Sequence, residues 1–121
     1  MAEWFAGRVS DFDHERRSTI KVDGREVVVL RNNGRFYALE NNCLHMGGPV
    51  GEGMVMGKVE AVMTEDQRCL GERFSEKEIH IICPWHGWEY DIETGEFAGD
   101  PKRRLRRYDV TTRGDEVYVQ T

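Results

Sequence analysis

The sequence predicts an all-β fold, an antiparallel β-sandwich or β-barrel, and two observations support that prediction. Runs rich in β-branched and aromatic residues are short, and Gly, Asn and Asp turn signals separate them at frequent intervals. Many short strands joined by tight turns are typical of these architectures. The length of 121 residues fits one domain, residues 1–121, with a modest core.

The first half of the chain predicts two successive hairpins. Residues 18–22 and 25–31 are extended runs on either side of an Asp-Gly pair, which is a strong hairpin signal. An Asn-Asn-Gly turn then leads to a third run at residues 35–40. We expect these segments to be three consecutive antiparallel strands.

The second half predicts a loop between two strands and a closing hairpin. Residues 78–83 lead into the loop, and residues 88–91 lead out of it. Near the end of the sequence, residues 106–112 and 116–120 flank an Arg-Gly-Asp turn. We expect these last two runs to pair with each other.

Two short motifs carry the chemistry of a metal site. The first contains Cys43 and His45, and the second contains Cys83 and His86. Each motif offers one thiolate and one imidazole from a tight loop, so the two loops together present two sulfurs and two nitrogens. A [2Fe-2S] cluster with two Cys ligands on one iron and two His ligands on the other needs this set. Thiolates suit the iron, and neutral imidazoles remove negative charge and raise the reduction potential.

A zinc-bound interaction module is the alternative for the same four residues. Zinc also accepts two Cys and two His ligands in a closed tetrahedron. Zinc fingers usually pair Cys with Cys and His with His, whereas each motif here mixes the two types. The glycines and tryptophans around the motifs add a context that zinc does not require, so we favour the iron–sulfur interpretation.

With their flanking residues, the motifs resemble the Rieske iron–sulfur domain family, and the second is similar to those of Rieske oxygenases and their ferredoxins. The flanks are residues 46–49, Met-Gly-Gly-Pro, and residues 87–91, Gly-Trp-Glu-Tyr-Asp. The resemblance covers essentially the whole chain. It implies a β-sandwich with a small cluster-binding subdomain at one end and one Rieske-type [2Fe-2S] cluster per chain. The implied ligands are Cys43, His45, Cys83 and His86.

Glycines and tryptophans are expected to surround the cluster. Gly47, Gly48 and Gly87 allow positive φ angles and a close approach of the backbone, so that amide N–H groups point at the cluster sulfurs. Trp85 and Trp88 are expected to form an apolar cover that limits the access of water.

The resemblance also implies roles for two further residues. In high-potential family members a tyrosine at the place of Tyr90 donates a hydrogen bond to a ligand cysteine, and a serine at the place of Trp88 donates to a bridging sulfide. Trp88 has no hydroxyl group, so we expect a midpoint potential in the lower part of the known Rieske range of roughly −150 to +300 mV. Pro101 resembles the proline of the loop that covers the cluster.

The cysteine content is consistent with the soluble branch of the family. Only Cys69 remains beside the two motif cysteines, so an intrachain disulfide would cost a ligand. Family members of respiratory and photosynthetic complexes carry an extra cysteine in each ligand loop, at the places of Gly48 and Trp85 here. The sequence does not reveal a role for Cys69.

Residues 51–78 contain an insertion, because the segment between the motifs is longer than the resemblance implies. We expect a surface excursion there, a hairpin with a short helical turn. A tolerated insertion is favoured over a partner-docking element.

Composition excludes some functions. The net charge of −5 argues against a nonspecific nucleic-acid binder. The sequence shows neither a signal-peptide pattern nor a segment of membrane-spanning length. We therefore expect a cytoplasmic location and no membrane partner.

The ligand motifs stand without other catalytic signatures, so one-electron transfer is the simplest function. We expect a Rieske-type ferredoxin that takes electrons from a flavin-dependent reductase and passes them to a terminal oxygenase. Such a protein is an electron-transfer component of an oxidoreductase system rather than a catalyst by itself. The alternative is a small noncatalytic subunit of a larger reductase, of the nitrite reductase small-subunit type.

His14 and His80 are expected to be solvated or half-buried and not to be ligands. The basic residues 102–107 are either a solvated rim or a docking patch.

Overall fold

A computed structural model describes residues 2–85 and 87–121, apart from the side chains of Glu60 and Glu76. The all-β prediction is confirmed, since strands dominate these residues and form two antiparallel sheets. The strands are β1 (Glu3–Arg8), β2 (Ser18–Val22), β3 (Arg25–Asn32), β4 (Arg35–Glu40), β5 (Met54–Met63), β6 (Cys69–Ile82), β7 (Glu89–Asp91), β8 (Glu96–Phe97), β9 (Asp100–Arg104), β10 (Arg107–Arg113) and β11 (Glu116–Gln120).

The first sheet has six strands in the order β1-β11-β10-β4-β3-β2. Asp23 and Gly24 join β2 to β3 with φ angles of 51° and 81°, and both must be positive in a type I′ hairpin turn. The sheet curls until β1 approaches β2, which gives it a nearly closed outline. Its interior is filled by side chains from several strands and by Phe12 from the 3₁₀ segment Val9–Glu15.

The second sheet has five strands in the order β5-β6-β7-β8-β9. The first motif follows β4 of the six-stranded sheet, and the second motif lies between β6 and β7. A core cluster between the sheets joins side chains from both of them and includes both motif cysteines. Its buried members are Val28, Leu30, Leu39, Cys43, Val50, Ile81, Cys83, Tyr90, Ile92 and Leu105.

The segment between the motifs forms a long β-hairpin. The 3₁₀ turn Val50–Glu52 precedes it, and β5 and β6 make up its two arms. Only the last three residues of β6, 80–82, also pair with β7. The outer part of the hairpin is therefore two-stranded, and it exposes the apolar side chains of Val59, Met63, Leu70 and Phe74.

Among the described residues, no helix is long and apolar enough to cross a membrane.

Candidate metal centre

The first ligand loop is closed by two backbone hydrogen bonds. The N–H of Cys43 donates to the carbonyl of Gly48 over 2.9 Å, and the N–H of Gly47 donates back to the carbonyl of Cys43 over 2.8 Å. Gly47 has a φ of +74°, which glycine adopts without steric cost. The bonds curl residues 43–48 into a tight turn that begins at the cysteine.

The second ligand loop repeats this geometry. The N–H of Cys83 donates to the carbonyl of Trp88 over 2.8 Å, and the N–H of Gly87 donates to the carbonyl of Cys83 over 2.9 Å. Gly87 has a φ of +73°, within one degree of its counterpart in the first loop. Two loops that are far apart in sequence thus share one backbone conformation. This conformation explains why each motif places a glycine four residues after its cysteine.

The loops meet at Gly48. A Cβ atom built on Gly48 would lie 2.8 Å from the Sγ of Cys83 and 3.0 Å from the indole of Trp85. Both distances are shorter than ordinary van der Waals contacts, so the approach of the two loops requires glycine at this position. The structure therefore brings the cysteine of the second motif against the first loop.

The two types of ligand differ in burial. Cys43 is 5% exposed and Cys83 is 1% exposed, whereas His45 lies at the surface. His86, the fourth expected ligand, lies outside the described residues. Soft sulfur donors in the core and a nitrogen donor at the surface suit a group that has one thiolate-bound and one imidazole-bound side.

Tyr90 contacts the first cysteine from within the core. Its hydroxyl oxygen is 3.2 Å from the Sγ of Cys43 and accepts a hydrogen bond of 3.1 Å from the N–H of Leu44. Burial first, and then the hydrogen bond with Cys43, raise the pKa of the Tyr90 hydroxyl above its ordinary value. The hydroxyl therefore keeps its proton and can donate it in a hydrogen bond to a Cys43 thiolate.

Removing this hydroxyl should lower the midpoint potential. A donor to the sulfur stabilises the reduced, more negative form, and the hydrogen bond is absent in Tyr90→Phe. If the two redox states differ by about 1 kcal/mol in this hydrogen bond, the potential falls by roughly 40 mV, since about 1.4 kcal/mol corresponds to 59 mV for one electron. A redox titration followed by visible absorption measures the shift. Tyr118→Phe is the control, because its exposed hydroxyl donates to Glu116; equal potentials in the two variants would contradict the assignment of Tyr90.

An aromatic stack supports His45. Its imidazole lies on the indole of Trp88 with ring centroids 4.6 Å apart and planes 18° apart. Trp88 in turn stacks on Phe97 at 4.1 Å, and the guanidinium carbon of Arg103 lies 5.3 Å from the Trp88 ring centre. Trp88 therefore supports the imidazole of His45, and its part in an apolar cover stays a prediction.

The other expected cover residues are more exposed. Trp85 packs its ring against Gly48 but is 55% exposed. Pro101 is an exposed residue of β9, and its role beside a cluster stays a prediction.

Three contributors to the site were missed by the sequence analysis. Phe97 and Arg103 belong to the stack on Trp88. Arg17 donates from one nitrogen to the carbonyls of Gly51 and Gly53, both over 2.6 Å, and so ties the segment after the first loop to the six-stranded sheet. No local sequence signal marks these contacts, because each joins side chains from different elements of the fold.

The expectation that His80 is solvated or half-buried is wrong, since its exposure is only 2%. Glu78 Oε2 lies 2.7 Å from its Nε2, and Glu89 Oε1 lies 3.1 Å from its Nδ1. Glu78, His80 and Asp91 have ligand atoms within 4.8 Å of one another, as a metal site would. Carboxylates already contact both imidazole nitrogens of His80, so this group of three side chains has hydrogen-bond partners without a metal ion.

The fold and the two loops fit a site with mixed cysteine and histidine ligands. The family model described as Rieske [2Fe-2S] domain matches residues 3–109, and the chain belongs to this family. The family implies a Rieske-type [2Fe-2S] cluster, and the residues described here fit that group.

Two curated human relatives match parts of longer proteins. The chain is 31% identical over 90 residues to the human Rieske domain-containing protein, covering 74% of this chain and 46% of that protein. It is 25% identical over 113 residues to human Apoptosis-inducing factor 3, covering 93% of this chain and 15% of that protein. The chain therefore spans less than half the length of both relatives.

Two solved structures match almost the whole chain. The ferredoxin of carbazole 1,9a-dioxygenase from Nocardioides aromaticivorans IC177 has a TM-score of 0.69 and 25% identity, and the match covers 98% of this chain and 97% of that one. A structure described as an NADH-dependent nitrite reductase small subunit from Mycobacterium tuberculosis has a TM-score of 0.74 and 16% identity, over 98% and 93% of the two chains. The second likeness concerns the fold alone.

Proposed function

We propose that this protein is a one-electron carrier with one Rieske [2Fe-2S] cluster per chain, held by Cys43, His45, Cys83 and His86. The observation that supports the proposal most directly is the contrast in burial between the ligands. Both cysteines lie in the core, whereas His45 reaches the surface. This arrangement keeps water from the thiolates and leaves a short path from an imidazole to a protein partner.

The surrounding residues prepare the site for repeated reduction and oxidation. The cluster, when bound, supplies a reversible one-electron couple. Tyr90 holds a proton against Cys43, the two ligand-loop turns fix the cysteines, and Trp88 fixes the plane of His45. Rigid support of this kind keeps the ligand geometry similar in both redox states.

The more specific role that we favour is a ferredoxin component between a flavin-dependent reductase and a terminal oxygenase. The likeness to the carbazole dioxygenase ferredoxin extends over nearly all of both chains and supports this role. In such a system the protein works in the cytoplasm as a single domain of residues 1–121 and is a component of an oxidoreductase rather than a catalyst. The insertion at residues 51–78 is an addition to this domain.

A small noncatalytic subunit of a larger reductase is the second candidate. The structure described as a nitrite reductase small subunit shares the fold, so this chain has the architecture that such a subunit requires. The two roles share the cluster and differ in whether the carrier leaves its partner.

A titration of the purified protein tests the carrier proposal. We expect two irons, two acid-labile sulfides and one electron taken up per chain, together with a rhombic EPR signal after reduction with dithionite. Bound zinc without sulfide would contradict the proposal and favour the interaction module. Reduced protein that cannot be reoxidised without loss of iron would also contradict it.

Purification of the tagged protein from its source cells separates the two roles. A ferredoxin is expected to elute alone at physiological salt and to pass electrons from NADH and a flavin-dependent reductase to cytochrome c. A bound subunit is expected to elute with a larger enzyme in fixed proportion, and a sirohaem spectrum would identify that enzyme as a nitrite reductase.

A further inference from the structure

We propose that Arg103 forms a docking site for carboxylate groups of the electron-transfer partner, close to the exposed His45. The inference rests on the proposed function and names the chemistry of the surface that the partner presents. The partner is a redox protein whose own redox centre lies under acidic side chains.

The geometry connects the cationic site to the ligand. The Arg103 guanidinium carbon lies 5.3 Å from the ring centre of Trp88, and the same indole stacks on the imidazole of His45 at 4.6 Å. Arg103 is itself exposed, so its nitrogens remain accessible to a partner. Arg103 and His45 contact the same indole, so a carboxylate that binds this guanidinium is held close to an expected cluster ligand.

The charge of this region is opposite to that of the whole protein. The chain has a net charge of −5, but residues 102–107 contain five cationic side chains and one leucine. Leu105 is 1% exposed and anchors the segment in the core, which directs its neighbours outward. A local cationic surface on an acidic protein steers acidic partners to one place and not to the rest of the surface.

Two of these cations are already engaged within the chain. Arg104 forms an ion pair with Glu96 at 3.5 Å, and Arg107 forms one with Asp109 at 3.3 Å. Among the described side chains, the structure shows no ion pair for Lys102, Arg103 or Arg106. Of these three, Arg103 is the one whose guanidinium contacts Trp88, so it is the cation placed to bind a carboxylate near His45.

Apolar side chains complete the docking surface. Met46 follows His45 directly and is 64% exposed, and Trp85 in the second ligand loop is 55% exposed. An apolar centre beside charged groups is the usual anatomy of a transient interface. The charges direct the encounter, and the apolar tips of the loops exclude water once the partner has bound.

Small oxidants of opposite charge test the site without knowledge of the natural partner. Dithionite-reduced protein is mixed with anionic tris(oxalato)cobaltate(III) or with cationic tris(phenanthroline)cobalt(III), and each takes one electron to give cobalt(II). Wild-type protein is expected to react more slowly with the anionic oxidant as ionic strength rises, because the local cations attract it in spite of the net charge. The opposite trend, a rate that rises with salt, would overturn the proposal.

Arg103→Glu and Arg35→Glu form a matched pair of variants. Both change the net charge by two units, but Arg35 is exposed at the β3–β4 turn, at the opposite end of β4 from the ligand loop. At low salt, Arg103→Glu should slow the anionic oxidant about fivefold to tenfold and speed the cationic one, while Arg35→Glu should change either rate by less than about twofold. The midpoint potential of each variant is also measured, so that the electron-transfer rates can be corrected for differences in driving force.

The outcomes separate this proposal from the proposed function. Equal rates for the two variants, with normal cluster spectra and reversible reduction, would refute the docking site and leave the carrier function intact. Absence of a reducible cluster in the wild-type protein would refute the function itself.

Discussion

Serine in place of Cys83 is expected to yield a colourless protein with no acid-labile sulfide. Cys83 is 1% exposed, and its sulfur faces the other ligand loop across Gly48. A hydroxyl oxygen is a harder and less acidic donor than a thiol, so it does not replace a thiolate on iron. Iron and sulfide analysis, together with the visible spectrum, measures the loss.

Cys69→Ser is the matched control for this experiment. Cys69 undergoes the same change of sulfur to oxygen, but it is exposed at the start of β6, and its Sγ contacts the carbonyl of Gly71 at 3.4 Å. We expect this variant to keep the cluster content and spectrum of the wild-type protein. A Cys83→Ser protein that retained its sulfide, or a loss equally large in Cys69→Ser, would show that the ligand assignment is wrong.

Asparagine in place of Gly48 is expected to reduce cluster content several-fold. Even its Cβ would lie 2.8 Å from the Cys83 sulfur, so one loop must move away from the other. Overpacking of this kind costs about 1–3 kcal/mol of folding stability. The larger consequence is chemical, because thiolates and imidazoles from separated loops no longer reach the same pair of irons.

Gly114→Asn is the control for the substitution at Gly48. Gly114 lies in the β10–β11 turn with a φ of +62°, and nothing lies within 4 Å of a Cβ built there. Asparagine tolerates this backbone region better than most residues, so we expect a change in the thermal midpoint but normal iron and sulfide content. Equal cluster content in the two variants would mean that the loops do not need their close approach.

Turn chemistry explains how well the sequence predicts the six-stranded sheet. The Asp-Gly pair specifies a hairpin by itself, because positive φ angles at both positions suit the twist of the flanking strands. The predicted strand at residues 25–31 is accordingly observed as Arg25–Asn32, and the predicted run at residues 35–40 is observed as Arg35–Glu40. The information needed for these elements is local.

The ligand loops were predictable for the same reason, but their support was not. Each motif places a cysteine and a glycine within one turn, so the spacing alone indicates the loop. The stack on Trp88 brings together His45 from the first loop, Phe97 from β8 and Arg103 from β9. Only the pairing of β7, β8 and β9 brings the last two beside the second loop.

For His80, the sequence predicts the correct face of the strand but the wrong exposure of the side chain. The alternation with Ile79 and Ile81 predicts that its side chain lies on the other face of the strand, and a polar residue on that face is expected to meet water. Glu89 from β7 and Glu78 from the same strand cover the imidazole instead, and their side chains are each 41% exposed. The carboxylates face the solvent in its place, an arrangement that depends on strand pairing and not on local pattern.

The length of β6 has a consequence for how the molecule fluctuates. The strand has 14 residues, but only residues 80–82 lie between two neighbouring strands, whereas the part toward Cys69 pairs with β5 alone. A two-stranded ribbon is marginally stable in water, so its amide protons should exchange through local opening, while those next to Cys83 exchange only when the whole protein unfolds. The hairpin tip can thus fray or be cleaved by a protease while the same strand continues to hold its ligand thiolate in place.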